Sequence, residues 1–172
     1  MYRLSLTNNI NIIIMANQDN KLAHLKIGTK EFPDIDALFN IQSSLQSFIA
    51  DAKGVDDITR GNYTMAIVSS FMLQQKHAFD DEFHEMMDAI GGIDDGVGSA
   101  AWKWWKDDHK KAHITYLNEM SDNDMLELKF EAVDMLHFFI NMCIILGMTG
   151  SEMMNMYIAK NAENIERQKR GY

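Results

Sequence analysis

The chain has 172 residues, a formal net charge of −9 and a hydrophobic fraction of 47%, the size and make-up of one globular domain. That acidic balance argues against an exposed nucleic-acid-binding face, which is normally basic, and no apolar run approaches the roughly 20 residues that span a bilayer. Cys143 is the only cysteine and lies inside the apolar run FFINMCIIL, so no disulfide framework is expected. A reducing, cytoplasmic setting fits, and Cys143 reads as a small core residue rather than a nucleophile.

Residues 1–30 read as a loosely ordered extension, and residues 31–172 as a single all-α domain. The stretch NNINIIIM is too short for a signal peptide and has no small-residue cleavage pattern after it. Pro33 is the chain's one proline, and the scarcity of this interior breaker points to long helices. From Asp34, the positions Ile35, Leu38, Ile41, Leu45, Phe48 and Ile49 keep helical spacing up to Gly54. A second helix is expected from about Tyr63 to Ile90, its apolar stripe carried by Ile67, Phe71, Leu73, Ala78, Phe79, Phe83 and Met86.

Residues Gly91 to Gly98 (GGIDDGVG) form a loop with neither the spacing of a phosphate or dinucleotide fingerprint nor that of an EF-hand. A third helix is expected from about Ser99 to Glu119. Ser121 then caps a fourth, which stops at Gly147, and Ser151 caps a fifth running to about Arg167. The expected fold is an all-α bundle of about five main helices.

Two acidic motifs carry the chemistry. Glu82 and Glu85 stand at i, i+3 on one helix, and Glu131 and Asp134 at i, i+3 on another, so each pair shares a helix face. The first pair has acidic neighbours in Asp80 and Asp81, as a solvated face would. The second pair sits within FEAVDMLHFFINM, where a buried carboxylate needs a cation. A divalent metal held by oxygen ligands meets that need, and salt bridges from Lys129 or Arg167 are the alternative. Beyond Asp134, the residues His137, Phe138 and Asn141 fall on adjoining turns and suit a planar, polar ligand. Cations for a polyphosphate are available from Lys103, Lys106 and Lys110 on the Trp-rich helix, or from Lys160, Asn164 and Arg167 at i, i+4, i+7 in the tail.

With these residues in place, the chain resembles the all-α nucleoside triphosphate pyrophosphatases, whose signature is E-x-x-E followed by E-x-x-D. The flanks ELKFEAVDMLHFFINMCIILGM and YIAKNAENIERQKRGY are similar to the dimeric dUTPase branch, and most to the dCTPase–dUTPase type of T-even bacteriophages. IQSSLQ, DDEFHEMM, WKWWK and NEMS extend the likeness over about Asp34 to Tyr172.

The resemblance implies Mg²⁺-dependent hydrolysis of dCTP, dUTP or both to the monophosphate and pyrophosphate, with Mn²⁺ as a substitute metal. Glu82, Glu85, Glu131 and Asp134 would be the metal ligands, and Glu82 or Glu85 the general base. Lys160, Asn164 and Arg167, with Lys103 and Lys106 behind them, would hold the phosphates. Gln42 and Gln46 would read the base beside His137, Phe138 and Asn141. A homodimer and a small-molecule nucleotide substrate, with no membrane or nucleic-acid partner, complete what the family implies. Dimeric dUTPases have glutamine and asparagine at i, i+4 in the first helix, whereas this chain has Gln42 and Gln46, which favours the phage type. The competing readings are a strict dUTP diphosphatase and a non-catalytic acidic helical protein that binds a host partner. Four carboxylates kept in register count against the second.

Overall fold

The computed structural model describes residues 34–90, 105 and 116–171. Among them are four α-helices and no strand: α1 (Ile35–Lys53), α2 (Met65–Ile90), α3 (Asp122–Ile145) and α4 (Gly150–Lys169). The expected helix from Ser99 to Glu119 falls mostly outside the described residues, and at its end Leu117–Glu119 forms a 3-10 turn. Residues 1–33, the Gly91–Gly98 loop, and Lys103, Lys106 and Lys110 also lie outside them.

Helix ends follow local chemistry. Asp34 caps α1 by accepting from Ala37 N at 3.0 Å, and Gly54 ends it at φ 65°, a left-handed conformation that costs glycine little. Ser121 caps α3 through Asp124 N at 3.1 Å. The last helix corrects the sequence reading: Thr149 caps it, accepting from Glu152 N at 3.1 Å, two residues before the expected Ser151. Ser151 is used differently, giving both its backbone N–H (2.8 Å) and its hydroxyl to the Asp36 carboxylate on α1. Those bonds hold Asp36 below the usual carboxylate range, and a negative charge at a helix N-terminus is itself favourable.

At this junction the two helices touch. A Cβ on Gly150 would lie 2.8 Å from the Ile35 carbonyl group, so only glycine fits there without a backbone shift. Around it Phe39, Ile140 and Cys143 form the buried core, with Ile35, Leu38, Ile144, Met148 and Met153 packed against them. Cys143 is thus the core residue expected, its thiol pKa raised by burial.

The face that α1 buries is a second correction. Of the expected stripe only Ile35 and Leu38 pack on the core, which α1 enters through Phe39. Further along, Ile41 (57% exposed) and Phe48 (69%) face outward, while Gln42 is buried at 3%. The main packing is α2 against α3, with α1 and the start of α4 closing one end. The axes of α3 and α4 differ by 101°, and α4 carries Met154, Met156, Tyr157, Ile158 and Ile165 exposed. No single helix among the described residues is long and apolar enough to cross a membrane.

Candidate active site

Helix spacing sets up the site. On α3, Glu127, Glu131, Asp134, Phe138 and Asn141 recur every three or four residues and so line one side. On α2, Gln75, Phe79, Glu82 and Met86 do the same. Gln75 meets Asn141 and Glu82 meets Asp134, each pair seven residues from the other along its own helix, so the two helices run antiparallel in register. At 1.5 Å per residue the amide station and the carboxylate station stand about 10 Å apart along one seam.

At the carboxylate station, oxygens of Glu82, Glu131 and Asp134 lie within 4.8 Å of one another. Glu131 is buried, while Glu82 and Asp134 are half-buried. Glu85 is exposed and stands outside that trio, yet its charge is felt there. Burial first, and then the charges of Glu85 and Glu127 and a hydrogen bond with Glu82, push Glu131 up to about 7. Burial and the charges of Glu85 and Asp134 also raise Glu82, against the hydrogen bond from Glu131 that lowers it. Without a cation, therefore, Glu131 holds its proton more tightly than an ordinary carboxyl and shares it with Glu82 in a hydrogen bond.

Glu127 is a carboxylate the sequence reading passed over. It lies one turn before Glu131, and its Oε2 is buried without a hydrogen-bond partner. The i, i+4 spacing to Glu131 was the available signal. Among the described residues no lysine pairs with Glu82, Glu131 or Asp134; of the two suggested salt-bridge partners, Lys129 is exposed and Arg167 lines a hollow with Glu163 and Arg170. An all-oxygen donor set, an orphaned carboxylate oxygen and a carboxyl whose pKa is raised by burial and by its acidic neighbours together fit a hard divalent cation.

His137 belongs to this end, its Nδ1 3.7 Å from Asp134 Oδ1, and Phe138 is half-buried one residue further. At the amide station Gln42 Nε2 donates to Asn141 Oδ1 at 2.8 Å, and Asn141 Nδ2 donates to Gln75 Oε1 at 2.9 Å. Gln42 and Asn141, proposed from sequence, are both 3% exposed and bonded to each other. Gln75 was missed, since no local pattern marks a partner 66 residues away. Gln46 stands one turn beyond Gln42, half-buried.

Among the described residues, neither Lys160 nor Asn164 bonds to Glu82, Glu131 or Asp134. Helix α4 packs on α1 through its first turns, and Lys160 and Asn164 are exposed along its length. Lys160 lines an open apolar hollow with Met148, Met153, Met156 and Tyr157, while Arg167 and Arg170 flank Glu163 in a smaller one.

An antiparallel helix pair with clustered carboxylates is an acidic all-α arrangement able to hold a cation, and comparison with known proteins shows what the chain is similar to. Residues 125–172 match the dUTPase family model. The chain is 43% identical over 111 residues to the dCTP pyrophosphatase of Enterobacteria phage T4, a match covering 63% of this chain and 65% of that protein. The dCTP pyrophosphatase of Enterobacteria phage LZ5 is 39% identical over 111 residues, with 63% and 64% covered. A DNA replication protein of phage T4 is 42% identical over 100 residues, 57% of this chain but 26% of that protein. The chain thus spans just under two thirds of the length of the dCTP pyrophosphatases it matches. No solved structure matches it. These findings support the T-even-type phage dCTPase–dUTPase family that the sequence resembles.

Proposed function

We propose that the chain hydrolyses dCTP and dUTP to the monophosphate and pyrophosphate in a Mg²⁺-dependent reaction, serving nucleotide-pool control in a phage-infected cell. The observation that carries this reading is the paired station on one seam, carboxylates at Glu82, Glu131 and Asp134 and amides at Gln42 and Asn141. A triphosphate needs metal at its phosphates and hydrogen-bonding groups at its base, separated by the sugar. The names of the relatives supply the reaction and the pyrimidine.

In this reading Glu82, Glu131 and Asp134 hold the cation, with Glu85 at the rim and Glu127 behind Glu131. A bound Mg²⁺ supplies Lewis acidity and neutralises phosphate charge. Glu82 or Glu85 takes the proton from the attacking water. Phe138 and His137 flank the nucleoside, and Gln42, Gln46 and Asn141 address its base.

The subunit is also proposed to pair with a second copy. Among the described residues, Ile41 and Phe48 on α1 and Met156, Tyr157 and Ile158 on α4 are exposed apolar side chains. Pairing would let Lys160, Asn164 and Arg167 reach phosphates held by the other subunit. Lys103 and Lys106 are the alternative source of positive charge.

The test is a panel of nucleoside triphosphates assayed with and without Mg²⁺, with the products identified. Monophosphate and pyrophosphate from dCTP and dUTP alone support the proposal. Equal turnover of dATP or dGTP overturns the pyrimidine assignment, and no turnover of any triphosphate overturns the enzyme.

A further inference from the structure

The three amides of Gln42, Asn141 and Gln75 form a chain with a direction. Nitrogen of Gln42 donates to oxygen of Asn141, whose nitrogen donates to oxygen of Gln75. Gln42 and Asn141 are each 3% exposed, so water cannot readily replace either bond. Turning one amide alone sets oxygen against oxygen or NH₂ against NH₂, and a buried hydrogen bond is lost. Turning all three together reverses every bond and breaks none, because each amide carries a donor and an acceptor.

The two directions differ in what Gln42 has left to offer. In the structure its Nε2 faces Asn141, and its Oε1 has no hydrogen-bond partner among the described residues. That free end is an acceptor. In the reversed chain Oε1 would face Asn141 and the free end would be a donor. At the other end Gln75 is half-buried, so water can serve whichever of its atoms is outermost. Among the described residues, no further bond pins the chain to one direction.

Cytosine carries an amino donor at position 4, and uracil a carbonyl acceptor, as thymine does. We infer that Gln42, Asn141 and Gln75 form a reversible amide relay that fits one pocket to either base, with Gln75 as the positioning residue that allows both directions. The observed direction suits cytosine and the reversed one suits uracil. This inference rests on the proposed hydrolysis of both dCTP and dUTP, with the base at Gln42.

The test locks the relay. Gln75→Glu places an acceptor-only group at the chain's end when assayed at about pH 8, where a half-buried carboxylate is ionised. Asn141 must then donate to it, and Gln42 must keep its acceptor outward. Asn141→Asp leaves Gln42 with the same outward acceptor, since an ionised carboxylate there accepts from both glutamines once Gln75 turns to donate. For each folded variant, judged by its melting curve, the ratio of kcat/KM for dCTP over dUTP should rise about ten-fold or more over the wild type. Added charge that merely repels phosphates slows both substrates alike and leaves the ratio where it was. An unchanged ratio in a folded variant, beside a wild type that hydrolyses both nucleotides, overturns the relay and leaves the enzymatic reading standing. A wild type active on only one of the two overturns the relay at once, and activity on neither overturns both.

Discussion

The two ends of the α2–α3 seam are built on the same helices yet are in opposite states. At the amide end the polar groups satisfy one another: Gln42, Asn141 and Gln75 are bonded in sequence. At the carboxylate end they do not: Glu131 is pushed up to about 7 and Glu127 Oε2 has no partner. Buried neutral dipoles can pair among themselves, whereas clustered like charges need an outside counter-charge. The first end therefore contributes stability to the empty protein, and the second costs it until a cation arrives.

Replacing one side chain at the carboxylate end gives the largest expected effect. Glu131→Gln removes a charge and a proposed ligand while keeping the shape, so kcat should fall at least about a hundred-fold, the scale of losing one strong electrostatic contact. The metal-free variant should melt no lower than the wild type. Added Mg²⁺ should raise the wild-type melting temperature clearly and that of the variant much less. A structural salt-bridge role predicts the reverse: lower metal-free stability and surviving hydrolysis.

Next comes pH. Glu131 titrates higher in the folded chain (about 7) than its ordinary 4.5, so between these values the unfolded chain binds fewer protons than the folded one. Metal-free stability should therefore fall as pH rises from about 4.5 to 7, by on the order of 3 kcal/mol at most. Denaturant midpoints measured across that window check the sign. Stability that rises with pH there would mean the carboxylates are already compensated.

The amide end should answer in the opposite way. Asn141→Leu deletes both bonds of the relay and leaves two glutamines facing an apolar group, so metal-free stability should drop by about 2 kcal/mol. Urea unfolding beside Glu131→Gln would show whether one seam holds a stabilising and a costly station. Equal losses in the two variants would erase the distinction. The smallest effect is expected from Gln42→Ala, which should raise KM for dCTP about ten-fold, equivalent to roughly 1.4 kcal/mol, with kcat less affected.

Much of this was legible in the chain because it is written locally. Pro33, Gly54, Ser121 and Gly147 bracket α1 and α3 within a residue or two, since caps and breakers act on their own neighbours. Glu131 and Asp134 stood out because they are charged residues in an apolar helix. What local pattern does not contain is which helix faces which. Gln75 pairs with a residue 66 positions on, and Gln42 with one 99 positions on. The apolar stripe of α1 was visible, but its second half, Ile41 to Ile49, faces away from the core while Gln42 faces in. Apolar periodicity marks a helix and its sides without saying which side its own chain will cover. Ser151 was taken for a cap because serine often is one, when Asp36 on another helix claims it.

The tight joint between Gly150 and Ile35 also has a mechanical meaning. It is a fulcrum placed at one end of a rigid rod, since α4 is gripped at its start and carries an exposed surface from Met154 onward. Arg167 stands 17 residues from Gly150, a lever arm of about 25 Å at 1.5 Å per residue. A tilt of about 10° at that fulcrum sweeps Arg167 through an arc of roughly 4 Å, on the scale of a hydrogen bond made or lost. A side chain at position 150, as in Gly150→Ala, is thus expected to move the tail cations from the far end of the helix.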